Sequence, residues 1–303
     1  ALAWLSSSVI VVVTAVNNPS FGADTAGLIL PTHNWLAGDG FAKWGEVVET
    51  HLPPGVGILA YPFYLLSGSI EYSGSILSVT SYVLLIPLIY FASRRCLGRF
   101  AGGVASLFVA ATPALWFRAI VPLSECVFTL FLIGVFFLAI EYFEKGRLSP
   151  TLSALLGFLL GFGTLIRPEM FFVAVLGGVL IAGRSLSAVR QPIGDERLDW
   201  SMVISPLIIV LIFLAVLTPY VFFLYEHLGY VTFTGKFGPV TGWMERHGGY
   251  QPTGADQGKG ALALLKLLIG ENPSLFIKSI IDNIKELILM VYKYLNPVIY
   301  LCL

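Results

Sequence analysis

Charge is scarce in this chain: Asp, Glu, Lys and Arg together make up only 12% of its 303 residues. Soluble domains carry about 25%, so half of the expected solubilising charge is missing, which excludes a cytosolic enzyme and a disordered tail. The signs also cancel, 18 basic against 18 acidic residues. No net field remains to draw a polyanion, and a nucleic-acid partner of the ordinary kind is excluded with it. Cysteine is nearly absent. Cys96, Cys126 and Cys302 stand far apart in or beside apolar runs, without the spacing of a metal site or of a disulfide framework. No internal repeat is visible, so the two-half architecture common in transporters has no support.

What the chain has instead is apolar sequence, 56% of its residues, with a mean hydropathy of +0.83. A spanning helix needs roughly 17–25 apolar residues, and runs of this kind occur at 75–92, 100–117, 123–142, 151–166, 168–183 and 202–225. Two more, at 1–16 and 287–303, abut the ends of the sequence. The first lacks the Met and basic flank of a signal peptide, so both are expected to be portions of helices in a longer protein. The expected fold class is all-α, a polytopic transmembrane bundle with outer-face loops that carry interfacial helices. The membrane domain 1–303 then divides into a first outer loop (17–74), transmembrane helices 2–7 (75–225), a second outer loop (226–286) and the start of a further helix (287–303).

The apolar stretch 55–66 is too short to span comfortably, and the basic residues decide its place. If it does not cross, Arg94, Arg95, Arg99, Lys145, Arg147, Arg184, Arg190 and Arg197 all face the cytoplasm, and only Arg118 and Arg167 lie in the short outer connections. If it crosses, the first set lies outside, against the positive-inside rule. The non-crossing arrangement is therefore expected, in a multi-pass protein. The second outer loop opens rich in glycine, and the stretch 232–259 is expected to be mobile until substrate orders it. Asn272-Pro273 then starts a helix. Leu275, Phe276, Ile280, Ile284, Leu287 and Ile288 follow at helical spacing, opposite Lys278, Asp282 and Lys285, as in a helix lying on the membrane.

The same parity places Asp24, Asp39, His51, Glu125, Arg167 and Glu169 at one membrane face. Each has a plain reading. Asp24 suits a solvated helix cap, His51 merely precedes the Pro53-Pro54 punctuation, Glu125 is an acid favoured by a helix dipole, and Arg167 is an anchor that snorkels to the interface. Each also has a functional one. An acid inside a spanning segment is costly and marks a site by default, and an arginine holds a phosphate bidentately. Together, acid and cation suit transfer from a phosphate-linked donor, a base deprotonating the acceptor while cations stabilise the leaving group.

The ordered set Asp24-Thr25-Ala26-Gly27-Leu28, Asn34-Trp35-Leu36, Gly38-Asp39-Gly40-Phe41 and His51-Leu52-Pro53-Pro54-Gly55 resembles the first outer loop of GT-C glycosyltransferases. The nearest branch is the bacterial and archaeal group with a mannosyltransferase-like or aminoarabinose-transferase-like membrane domain. Arg94-Arg95, Ser124-Glu125 and Gly157 to Arg167-Pro168-Glu169 follow in the order of that family, so the resemblance covers about 17–170. It implies an inverting, extracytoplasmic transferase of a bacterial or archaeal cell membrane. The donor would be a polyprenyl-phosphate sugar, carrying a hexose or pentose, and the acceptor a lipid, glycan or protein.

Carried over by residue, the resemblance makes Asp24 the first-loop catalytic acid, Glu125 the second-loop acid, and His51 and Arg167 the donor-phosphate residues. Asp39, at a position the family leaves variable, is the reserve base. Glu169, Tyr230 and Lys236 are expected along the substrate loop. Two residues depart from the pattern: Thr25 stands where a second acid is usual, and Leu28 replaces a frequent Tyr. Some members of the family bind a divalent metal, and the sequence offers no convincing ligand cluster for one. Two other classes compete: a transporter or flippase of lipid-linked or small polar substrates, which would place charge near the midplane, and a structural subunit, which gives the outer charges no reason to converge.

Overall fold

The computed structural model describes residues 2–17, 23–42, 48–190 and 201–235, together with Ile281 and Lys285, both helical. The helices, in chain order, are α1 (Leu2–Asn17), α2 (Ala23–Ala37), α3 (Gly55–Ser67), α4 (Ile70–Ala111), α5 (Pro113–Ile120), α6 (Ser124–Lys145), α7 (Pro150–Ile166), α8 (Glu169–Arg190) and α9 (Ser201–Leu228). Among the described residues there is no strand, only a single antiparallel bridge between Ala42 and Val48. The protein is an all-helical membrane protein. Three of its described helices, Ile70–Ala111, Ser124–Lys145 and Ile204–Leu228, are long and apolar enough to cross a bilayer.

Local chemistry sets the helix ends. Ser69 caps α4, its hydroxyl accepting the Tyr72 N–H at 3.3 Å. This is why α4 begins at Ile70, five residues before the apolar run that starts at 75. Ser149 does the same for α7 through Leu152 N–H at 3.3 Å, with Pro150 behind it in the first turn. Within α4, Gly98 takes φ 91° and ψ 176°, a conformation essentially restricted to glycine, and there the helix turns back on itself. The two arms pack so closely that a side chain on Gly102 would meet the Tyr90 carbonyl at 2.8 Å. The run read as one span at 100–117 is broken at Thr112, which is extended (ψ 108°), because Pro113 has no N–H to continue the ladder and starts α5 instead.

Two hydrophobic cores flank α6. One joins Val11 and Ala15 of α1 to Val79, Tyr82 and Ile86 of α4, Ala119 of α5 and Cys126 of α6. The other joins Val135, Leu138 and Tyr142 of α6 to Leu156 and Leu160 of α7, Met170 and Ile181 of α8 and Ile209 of α9. Apolar attraction between helices is weak in lipid, so close backbone approach matters more. Gly157 and Gly161 of α7 provide it: a side chain at either would meet the carbonyl of Ile209 at 2.5 Å or of Phe213 at 3.0 Å. The outward rows Val175, Leu176, Val179 and Leu180 on α8, and Leu207, Leu211 and Leu214 on α9, are exposed. In a bilayer those rows are solvated by acyl chains.

The chain forms two compact units, Ala1–Phe223 with Phe233–Gly235, and Leu224–Thr232 with Lys236–Leu303. In the second, the Gly229 N–H closes the end of α9 on the Tyr225 carbonyl at 2.9 Å, and burial pushes the Tyr230 hydroxyl above its ordinary pKa. Lys236, the glycine-rich stretch 236–259 and most of the amphipathic pattern at 275–288 lie outside the described residues.

Candidate active site

Helix α6 serves as a ruler. Glu125 stands in its first turn and Glu141 one turn before its end, about 24 Å apart at 1.5 Å per residue. At the Glu125 end several segments converge. The buried Thr25 hydroxyl at the start of α2 donates to the Pro122 carbonyl at 2.7 Å, and the Ser78 hydroxyl of α4 reaches the Leu123 carbonyl at 3.4 Å. The start of α3 presses on the end of α7: a side chain on Gly55 would come within 2.5 Å of the Leu165 carbonyl. Thr25 also accounts for the departure from the family pattern. Its position is 1% exposed and faces a carbonyl oxygen, where a second carboxylate would repel rather than bond.

Asp24 therefore sits exposed at the mouth of the α5–α6 connection, in the first turn of α2, where the helix dipole favours an acid. Glu125 pairs loosely with Arg118, Oε1 to Nη1 at 3.7 Å, and its other oxygen, Oε2, is buried with no hydrogen-bond partner. Arg167, in the two-residue link between α7 and α8, lies over the Phe128 ring one turn into α6, 5.5 Å from its centroid. Its Nε is 3.8 Å from Glu169 Oε2, too long for a hydrogen bond, and is likewise buried and unpartnered. The sequence marked Glu125, Arg167 and Glu169. It left Arg118 as a mere outer cation, although seven residues and a proline turn are enough to fold it back on Glu125.

The first loop explains its own glycines. Gly38 and Gly40 take φ 95° and 85°, so Asp39 turns back with its N–H on the Asn34 carbonyl at 2.9 Å. The Asn34 amide then closes the loop on the Ala42 carbonyl at 2.8 Å. Asp39 is exposed just beyond the end of α2 opposite Asp24, and the helix between them, from Asp24 to Ala37, is about 20 Å long. The two candidate bases are not brought together. His51 is exposed, just before the Pro53-Pro54 entry to α3. The peptide before it is pressed from the far side of the chain, since a side chain on Gly235 would overlap the Thr50 carbonyl.

At the other end of α6 the charges are saturated. Arg95 of α4 pairs with Glu141 through Nη1 and with Glu144 through Nε (3.1 Å) and Nη2 (2.6 Å), while Lys145 also grips Glu141. The Arg95 guanidinium further covers Phe137, and Arg184 covers Phe143. A cavity of about 190 Å³ between α1, α4 and α5 is lined by Ser6, Ser7, Ile10, Leu107, Ala110, Ala111 and Trp116, none of them ionisable. No group of three or more His, Cys, Asp or Glu side chains among the described residues converges on a metal position.

The structure so far defines a class: a helical membrane protein with a loosely paired layer of arginines and carboxylates at one end of its bundle. Comparison with known proteins gives the family. Dolichyl-phosphate-mannose-protein mannosyltransferases match the chain over residues 51–222, more than half of it, and the chain belongs to that family, which is of GT-C type. It is a membrane glycosyltransferase that uses a polyprenyl-phosphate-linked sugar, which decides against the transporter and the scaffold. The matched stretch contains His51, Arg118, Glu125, Arg167 and Glu169; Asp24 and Asp39 precede it. No curated protein and no solved structure matches the chain.

Proposed function

We propose that the chain transfers a mannosyl group from a polyprenyl phosphate to an acceptor hydroxyl on the extracytoplasmic face, with inversion at the anomeric carbon. In this reading Arg167 and His51 hold the donor phosphate, and Asp24 takes the proton from the acceptor oxygen. That oxygen forms the new bond to the anomeric carbon as the bond to phosphate breaks, and the polyprenyl phosphate departs with the electron pair. Glu125, oriented by Arg118, holds an acceptor or sugar hydroxyl through its free oxygen. Glu169 keeps Arg167 in place at the entrance.

The observation that carries this reading is the contrast along α6. Buried polar atoms are normally paired, yet Glu125 Oε2 and Arg167 Nε are not, and they border the same turn of the helix. A ligand that both donates and accepts, as a sugar phosphate does, would satisfy both. The outer orientation rests on the basic residues at the opposite end, which the positive-inside rule assigns to the cytoplasm.

Two measurements test it. In membranes carrying the full chain, a panel of polyprenyl-phosphate sugars is offered and loss of the lipid-linked donor is scored. Mannose should be consumed, and consumption should fall in Arg167→Lys. For the orientation, Asp39→Cys in a cysteine-free background should react with an impermeant thiol reagent in intact cells. A second variant that retains the exposed native Cys96, beside Arg95, as its single cysteine should be protected. The reverse labelling pattern would refute the extracytoplasmic site.

A further inference from the structure

Glu49 carries no motif in the sequence, yet three segments meet on it. Its N–H donates to the Phe41 carbonyl at 2.8 Å, which ties it to the loop that leaves α2. Its carboxylate Oε1 accepts two successive backbone N–H groups, of His51 at 2.6 Å and Leu52 at 3.1 Å. The α9 face closes on the same place. Phe223 meets the Phe41 ring edge-on at 5.4 Å, and Tyr220 stacks on Phe223 at 6.2 Å. From the other side Gly235 seats on the Thr50 carbonyl, and Phe233 stacks on Phe171 at 4.0 Å.

We propose that Glu49 is a positioning residue of the donor site: by gathering the His51 and Leu52 amides on one carboxylate oxygen, it fixes the turn that presents His51 to the donor phosphate. The inference rests on the reading of His51 and Arg167 as donor-phosphate residues. The physical reason is reach. Pro53 and Pro54 rigidify the chain after Leu52, and Gly55 is locked against Leu165, so the remaining freedom lies in the peptide planes at Thr50 and His51. Two hydrogen bonds accepted by one side-chain oxygen remove it. Their source is the oxygen position, not the net charge, because a neutral amide oxygen at the same distance also accepts both N–H groups.

That distinction makes the test. Glu49→Gln keeps the acceptor oxygen at full length and loses the charge; Glu49→Asp keeps the charge and draws the oxygen back by one methylene. Both are made in the full chain in native membranes. Turnover is followed with a polyprenyl-phosphate mannose as donor, at varied donor concentration, and thermal unfolding is followed on purified protein in detergent. Glu49→Asp should raise the KM for donor about tenfold, with kcat and melting temperature close to wild type. Glu49→Gln should stay near wild type in all three. The opposite ranking, Gln impaired and Asp intact, would show that Glu49 acts through its charge and would overturn the inference. So would equal losses in both variants that follow the melting temperature, since that is the mark of a structural role alone. His51→Gln is the control arm. If it leaves the donor KM unchanged, the phosphate reading itself fails, whereas a raised KM in His51→Gln with none in Glu49→Asp sinks only the role of Glu49.

Discussion

The two ends of α6 carry similar residues in opposite states. Around Glu141, two cations and two carboxylates bond to one another, with Arg95 contributing three nitrogens to the network. Around Glu125, two arginines and two carboxylates stand at 3.7 and 3.8 Å, in contact range but outside good hydrogen-bond geometry, and two of their polar atoms are buried and unpaired. Saturated charge holds helices in place. Unsaturated charge is a cost to folding, of the order of 1–3 kcal/mol for an unmet buried polar group and more for a charged one, and a ligand that meets it recovers that cost. Substitutions at the two ends of α6 should therefore have different consequences.

The sharpest break lies at Asp24. A hydroxyl is a poor nucleophile at neutral pH, and removing a general base costs about 10²–10⁴ in rate. Asp24→Asn keeps size and polarity but cannot accept the proton. Turnover should collapse by that factor while donor still binds, measured by single-turnover transfer and by donor protection against thermal unfolding. If Asp24→Asn turns over normally and Asp39→Asn does not, the base sits at the far end of α2 and the site is centred there instead.

Arg167 comes next. Replacing its planar fork by the point charge of lysine forfeits one charge-assisted hydrogen bond, worth about 1.5–3 kcal/mol or roughly ten- to hundredfold in donor affinity. Donor KM should rise accordingly in Arg167→Lys, with a smaller change in kcat. Arg95→Lys is the matched change at the saturated end. There the melting temperature should fall, because lysine cannot span both Glu141 and Glu144, while donor KM per folded molecule stays as in wild type. A raised donor KM in Arg95→Lys would erase the distinction between the ends.

Much of this was legible before any coordinates. Residue class alone gives a helical membrane protein, since a chain so poor in charge has only lipid to face. Parity of the basic residues groups Asp24, His51, Glu125 and Arg167, and the ordered first-loop pattern names the family. The rest depends on backbone geometry that periodicity does not encode. The turn at Gly98 divides α4, and a glycine between Leu97 and Arg99 carries no signal of its φ of 91°. Asp24 and Asp39 look interchangeable in sequence, and only the unbroken α2 between them shows how far apart they stand. Glu49 and Arg118 were missed for a common reason: each acts on a partner across a turn, His51 and Glu125 respectively, and single-residue reading weighs a charge by its own position.

The smallest effect is expected at Tyr220, and it asks how far the comparison extends. Its hydroxyl is buried and unpaired, and its ring stacks on Phe223, which meets Phe41 of the first loop. Tyr220→Phe removes the oxygen and leaves the ring stacked on Phe223. An unmet buried hydroxyl costs stability, so the melting temperature should hold or rise. If the hydroxyl is kept for the working state, donor KM should rise in the same variant by the worth of one neutral hydrogen bond, about 0.5–1.5 kcal/mol or two- to tenfold. Stability and affinity would then move in opposite directions, which a packing defect cannot produce. A gain in stability with donor KM unchanged would confine the rule to the charged groups Glu125 and Arg167.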